Sequence, residues 1–408
     1  MESRYYTEPQ RHRANGLYQR DYARVMYSSA FRRLQGKMQL LGIQNDQFFR
    51  NRLTHSLEVA QISRSIAEMI QYDASELYVV ECCALAHDLG NPPFGHAGEA
   101  CLHDLFLDVG GFEGNAQTLR ILTSIERKRP NFQGLNLTYR TLLGVTKYFC
   151  TFDPEKFRQD HAGQKFIYDA DYALLSAWVQ ENQVQVRTLD VQIVDIADEI
   201  AYAAHDLEDG LRIKAYTIDE ILHEYCAAYG DSDNFLKLKE IVAEARALSG
   251  YGTSIGSAQF SKLFRQELVS RIINLALNDI DLVPVTASMA EKTRTTQGKE
   301  LGFVQYAELI HGLKKVVFRC VNRNDAVYHY ENEGKTVLRF LAGFYLQDAK
   351  YLPPEYRVGE LLRQYPDLAG CDQESLQKRL VCDYIAGMMD SYAISQYEKF
   401  SKNKIIGI

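Results

Sequence analysis

Proline is scarce in this chain, 9 in 408 residues, and turn-forming clusters are correspondingly few. Long segments are therefore free to be helical. Also absent is any apolar run near the roughly 18–20 residues needed to span a bilayer. The first residues, Met1-Glu2-Ser3-Arg4-Tyr5-Tyr6-Thr7, have no apolar stretch and do not read as a signal peptide, so a cytoplasmic location and no membrane partner are expected. No CxxC pair occurs among the cysteines at 82, 83, 101, 150, 226, 320, 371 and 382, and their spacing shows no disulfide framework. They read as reduced residues, most of them small hydrophobes in the core. An excess of positive charge is missing too. The net charge is −7, which argues against a generally basic nucleic-acid binder.

What is present is apolar content, 46% of residues, enough for one large domain or two smaller ones. Helical spacing dominates. Residues 54–71 place Leu57, Ala60, Ile66, Ala67 and Ile70 roughly on one face. Residues 74–87 are almost wholly apolar and read as a buried helix, stopped by Asp88-Leu89-Gly90-Asn91-Pro92-Pro93. Further helices are expected at 96–108, 115–125, 190–208, 303–322, 335–347 and 374–400. Strand candidates are weak, at 165–168 and 186–189, and the polar stretch 286–302 reads as an exposed loop. Arg11, Arg13, Arg20, Arg24, Arg32, Arg33 and Lys37 make the first forty residues locally basic. They suit either solvated helix faces or a surface facing phosphates or a single strand.

The most informative dipeptide is His87-Asp88 at a helix end. An imidazole and a carboxylate side by side can both reach one divalent ion, and such N/O ligation suits Mn, Fe, Co, Ni or Zn better than Mg. Alone the pair is weak, because a helix end with a surface histidine explains it equally well. His55 lies near the start of the preceding helix, and two antiparallel helices could bring it beside His87. Asp198 lies among Ile196, Ala197, Ile200 and Ala201, where a carboxylate is costly to bury without a cation or donors. Asp195 and Glu199 share that helix, so spacing cannot choose between the three. His96 and Glu99, three residues apart at a helical start, share a face, and a carboxylate beside an imidazole suits a general acid. Asp198, Tyr202 and Asp206 at i, i+4 and i+8 form one stripe.

Residues 51–60 (NRLTHSLEVA), 86–99 (AHDLGNPPFGHAGE), 115–122 (NAQTLRIL) and 195–210 (DIADEIAYAAHDLEDG) together resemble the HD-domain deoxynucleoside triphosphate triphosphohydrolases, the dGTPase-like enzymes. Residues 21–40 and 379–398 also look like that family, so the resemblance runs from about 10 to 400. It implies an all-α fold, one large domain over 1–408 with an HD core at about 50–210 and a C-terminal helical part at about 211–408. His55, His87, Asp88 and Asp198 would be the ligands of a divalent metal, with Mn, Mg, Fe, Co or Ni as candidates. His96 would donate a proton to the leaving sugar oxygen, supported by Glu99.

The resemblance also assigns substrate contacts. Arg52 would hold a phosphate, and Lys147 would meet the phosphate chain, though residues after it depart from the family pattern. Gln39 and Leu40 would lie near sugar and base, Tyr202 would pack on the sugar, and Asp206 would accept its 3′-hydroxyl. Asn115 and Gln117 would line the site without an assigned role. Asn91 stands where some relatives carry a catalytic histidine, and Glu199 where some carry a phosphate-binding lysine. The implied activity is hydrolysis of a deoxynucleoside triphosphate to deoxynucleoside and triphosphate, in a homo-oligomer, often a hexamer, with single-stranded DNA or a nucleotide as candidate effectors. The alternatives are an HD phosphohydrolase acting on monophosphates, cyclic nucleotides or guanosine polyphosphates, a silent nucleotide-binding regulator, or a single-strand binder using the N-terminal arginines.

Overall fold

Polar side chains mark where the helices begin. Asn51 accepts a hydrogen bond from the Thr54 backbone N–H, Thr138 and Thr188 cap the helices that follow them in the same way, and Thr217 forms a full capping box with Glu220. The computed structural model describes residues 2–8, 16–39, 50–155, 164–323 and 325–402. In chain order its helices are α1 (Gly16–Met26), α2 (Ser29–Arg33), α3 (Arg52–Met69), α4 (Leu77–Ala86), α5 (Gly95–Leu105), α6 (Gly114–Arg120), α7 (Tyr139–Val145), α8 (Asp169–Asn182) and α9 (Leu189–Arg212). They continue as α10 (Ile218–Tyr229), α11 (Asp233–Leu248), α12 (Ser257–Asn278), α13 (Ala287–Thr293), α14 (Ala307–Asn322), α15 (Asp325–Gln347), α16 (Val358–Gln364), α17 (Gln373–Ala386) and α18 (Asp390–Ser401). Among the described residues the fold is all-α apart from a small antiparallel pair, β1 (Ile280–Pro284) and β2 (Lys299–Phe303), in register Ile280↔Phe303 and Pro284↔Lys299.

Two apolar clusters hold these elements. The larger is built around α4, whose Val79, Val80, Cys82, Cys83, Ala84 and Ala86 are fully buried, with α1, α3, α7 and α9 packed on it. The smaller joins Phe94 and α5 to α15, α17 and α18 through Leu102, Phe106, Leu338, Leu341 and Ile385.

Several expectations are corrected. Leu57 is 49% exposed and Ile70 only partly buried, whereas Ala60, Ile66 and Ala67 are buried as expected, on a face of α3 that also takes in His55, Val59 and Ile62. Helix α4 begins at Leu77 rather than 74, α9 runs through Gly210 to Arg212, and the long C-terminal helix is broken at Gly387 into α17 and α18. Neither 165–168 nor 186–189 is a strand, whereas the stretch 286–302 is not a loop. It holds α13, capped by Thr286, and β2, whose Glu300 is buried on Arg187 at 3.2 Å. Polar composition misled there because a buried ion pair replaced apolar burial. Four of the cysteines are buried thiols, at 82, 83, 101 and 382, and Cys371 is exposed. The basic N-terminal segment is largely used internally. Arg24 donates to the Leu135 and Asn136 carbonyls and pairs with Glu8, Arg33 lies 3.7 Å from Glu126, and buried Lys37 donates to the Ala386 carbonyl at 2.8 Å. Arg11 and Arg13 lie outside the described residues.

Candidate metal centre and proton-transfer pair

Three helices bring one imidazole or carboxylate each to a common point. His55 sits in the first turn of α3, His87 follows the last residue of α4, and Asp198 lies mid-way along α9. One ligand atom from each lies within 4.8 Å of the others. His55 Nε2 is 3.1 Å and His87 Nε2 3.5 Å from the same oxygen, Asp198 Oδ1. His87 Nδ1 donates to the Ala84 carbonyl at 2.6 Å, which turns Nε2 inward. That Nε2 is buried with no hydrogen-bond partner among the described residues, as expected of an atom that fits a cation. Burial opposes charge on His87, but the Asp88 and Asp198 carboxylates outweigh it and raise the imidazole to about 9. Burial likewise opposes charge on Asp198, yet the two imidazoles hold it well below the usual carboxylate range. Two nitrogens and a carboxylate converging in a buried site suit a divalent transition metal.

Asp88 borders this group. Its Oδ2 takes Arg52 Nη1 at 2.7 Å, and its Oδ1 takes Asn91 Nδ2 at 2.5 Å and lies 3.6 Å from His87 Nε2. Arg52 is buried, so it orients a carboxylate before it meets any phosphate. The three acids of α9 are separated by their partners. Asp195 pairs with Lys147 and with Arg187 at 2.7 Å, Glu199 pairs with His311 at 2.7 Å, and Asp198 alone of the three faces the histidines. One turn on, the Tyr202 ring lies 5.0 Å from the His55 ring, with Lys314 Nζ 4.6 Å from its centroid. Asp206 is buried with Oδ1 unpartnered among the described residues, and burial pushes its carboxyl well up.

The second constellation starts at the turn after the two prolines. Phe94 and Gly95 both adopt positive φ, 63° and 56°, and swing the chain into α5. Gly98 is required by a close approach, since a Cβ there would meet the Pro93 carbonyl oxygen at 1.9 Å. His96 is 67% exposed and its Nδ1 lies 3.3 Å from Glu99 Oε2. The far oxygen of Glu99 accepts from the Gly114 backbone N–H at 3.1 Å and from Lys165 Nζ at 3.2 Å. This corner lies close to the partner of Asp88, since Arg52 Nη2 comes within 3.6 Å of where a Cβ on Gly95 would stand. Asn115 binds Glu113, and Gln117 binds Asp383 and Tyr168, so both serve the scaffold of α6. Gln39 keeps both side-chain polar atoms buried and unpartnered among the described residues, next to the Met38–Asn51 bridge that leads into α3. Leu40 lies outside the described residues. Lys165 and Glu113 were missed in the sequence, because nothing in their spacing ties them to α5.

The HD domain family matches residues 52–203, a span that holds His55, His87, Asp88, His96, Glu99 and Asp198. The phosphohydrolase-associated domain matches residues 304–399. The deoxyguanosinetriphosphate triphosphohydrolase-like protein 2 of Vibrio cholerae is 43% identical over 93% of this chain and 87% of its own length. This chain belongs to the HD-domain, dGTP triphosphohydrolase-like family. Other relatives of that name include those of Azorhizobium caulinodans, 33% identical over 96% of this chain and 92% of their own, and Bradyrhizobium diazoefficiens, 30% identical over 95% and 90%. It is thus an HD-domain phosphohydrolase with a His-His-Asp group able to hold a divalent metal. No described helix is long and apolar enough to cross a membrane.

Proposed function

We propose that this phosphohydrolase cleaves deoxynucleoside triphosphates to a deoxynucleoside and inorganic triphosphate. The observation that carries the reading is the pairing of the His55–His87–Asp198 group with an adjoining exposed histidine that is backed by a carboxylate. A divalent ion held there, with Asp88 as fourth ligand, would acidify a water and polarise a phosphoryl oxygen. His96 Nδ1–H donates to Glu99, which turns Nε2 outward to give a proton to the leaving 5′-oxygen. The new bond joins a water oxygen to the α-phosphorus, and the bond from that phosphorus to the 5′-oxygen breaks.

Arg52 and Lys147 face the phosphates in this reading, each shared with the carboxylate it already holds. Tyr202 packs on the sugar where a 2′-hydroxyl would intrude, and the unpartnered Asp206 meets the 3′-hydroxyl. Gln39 and Leu40 flank sugar and base. The same reading carries a homo-oligomer, checked by light scattering. The test is to incubate the protein with Mn or Mg and each nucleotide and to identify the phosphorus product by ³¹P NMR. Intact triphosphate from dGTP or another deoxynucleotide supports the proposal. Orthophosphate or pyrophosphate as first product, or turnover of monophosphates or cyclic nucleotides alone, overturns it.

A further inference from the structure

We propose that Lys165 is a positioning residue of the proton-transfer pair, its ammonium bridging Glu99 and Glu113 so that the Glu99 carboxylate stays fixed against His96. The inference rests on the proposed function for its kinetic arm only. Glu99 spends its two oxygens differently. Oε2 faces His96 Nδ1 at 3.3 Å, and Oε1 takes two donors, Gly114 N at 3.1 Å and Lys165 Nζ at 3.2 Å. Two donors on the oxygen remote from His96 lock the carboxylate plane, so the imidazole inherits a fixed orientation.

Lys165 reaches the second acid at 2.8 Å, on Glu113 Oε1. Glu113 is anchored independently, since it takes Asn115 Nδ2 at 2.7 Å and, through Oε2, the Ala116 N–H in the first turn of α6 at 2.8 Å. The lysine therefore ties the His96 helix to the start of α6. Its charge matters as well as its geometry. Glu99 and Glu113 are both largely buried, and Lys165 is the cation between them. The groups facing Glu99 are His96 on its own helix, Lys165 and Glu113, with Tyr148 beside the lysine and Glu113, its hydroxyl pushed up by burial. With Lys165 gone, two carboxylates would share the space with no ammonium between them, and one would hold a proton. Burial already pushes Glu113 up, while His96 and Lys165 outweigh burial at Glu99 and hold it low.

The experiment compares full-length wild type with Lys165→Met and Lys165→Arg, each loaded with Mn, on the nucleotide found to be cleaved. Lys165→Met is expected to lower kcat roughly 10- to 100-fold with KM changed less than about threefold. Its acidic limb of kcat should move to higher pH, and Lys165→Arg should recover most of both effects. A second readout needs no activity. In protein labelled with ¹³C at the glutamate carboxyls, with Glu99 assigned by Glu99→Gln, the Glu99 resonance should titrate at higher pH in Lys165→Met than in wild type. An unchanged kcat and acidic limb, or an unmoved Glu99 titration, overturns the proposal. A raised KM with constant kcat also overturns it, by making Lys165 a phosphate contact. If Lys165→Met fails to fold, Lys165→Gln gives the same comparison. If wild type releases no triphosphate, the function proposed above fails, and the carboxyl titration alone decides the role of Lys165.

Discussion

His87 and the proton-transfer pair are near neighbours in the sequence, yet different parts of the fold hold the metal group and that pair. His55 is fully buried and Asp198 nearly so, on helices that belong to the larger apolar cluster. His96 is largely exposed and rides on α5, which packs on α15 in the smaller cluster. A metal needs ligands that do not move, and three core helices supply them. A proton donor needs access to the leaving group, and a helix start at the surface supplies that. The two functions should therefore be separable by substitution.

The largest effect is expected at Asp198. Asp198→Ala removes the carboxylate shared by both histidines, so metal content should vanish and turnover fall more than roughly 10⁴-fold, while circular dichroism stays helical. Metal analysis of Asp198→Ala beside Asp195→Ala checks the choice, and retained metal in the first with loss in the second would reverse it. Next comes His96→Ala, with metal content unchanged and turnover down by roughly 10²–10⁴-fold. Joint loss of metal would make His96 a ligand and collapse the two centres into one.

That choice of acid shows where the sequence was and was not legible. His87-Asp88, the proline stop and the apolar α4 were readable, because each is a local pattern. Asp198 could not be told from Asp195 and Glu199, since what separates them is Lys147, Arg187 and His311, all distant in sequence. Leu57 was misplaced because counting apolar residues along α3 ignored His55 and Ser56, which are buried for polar reasons. The β1–β2 pair and the buried Glu300 escaped notice because an ion pair with Arg187 stands in for apolar burial. Lys165 carried no signal at all, being joined to Glu99 only by the fold.

A smaller effect should come from the second cluster. Leu338 is fully buried, and its Cδ1 would stand 3.4 Å from a Cβ on Gly98 in the His96 helix. Leu338→Ala is expected to cost about 2–5 kcal/mol in urea unfolding and to lower kcat by about tenfold, with metal affinity unchanged. Equal damage to metal binding would show that the clusters are not independent.

The smallest effect on turnover is expected at a buried acid that serves neither centre. Asp171 accepts from Thr123 Oγ1 at 2.6 Å, and burial raises its carboxyl to about 6. The unfolded chain loses that proton near the ordinary value of about 4, so across the window from there to about 6 the folded state holds a proton that the unfolded state has lost. Stability should fall as pH rises through that window, by about 3 kcal/mol at most, and stay lowered above it. Asp171→Asn should remove this contribution, leaving that of other raised acids such as Asp209, and leave kcat within about twofold. Urea melts on both sides of the window check it, and an identical pH slope in the variant would contradict it.

The central claim is that water attacks the α-phosphorus while the 5′-oxygen leaves with a proton from His96. Hydrolysis of dGTP, or of whichever deoxynucleotide is cleaved, in H₂¹⁸O followed by mass spectrometry of both products tests it most directly. The account predicts one ¹⁸O in the triphosphate and none in the deoxynucleoside. Label in the deoxynucleoside, or in released orthophosphate, would contradict it.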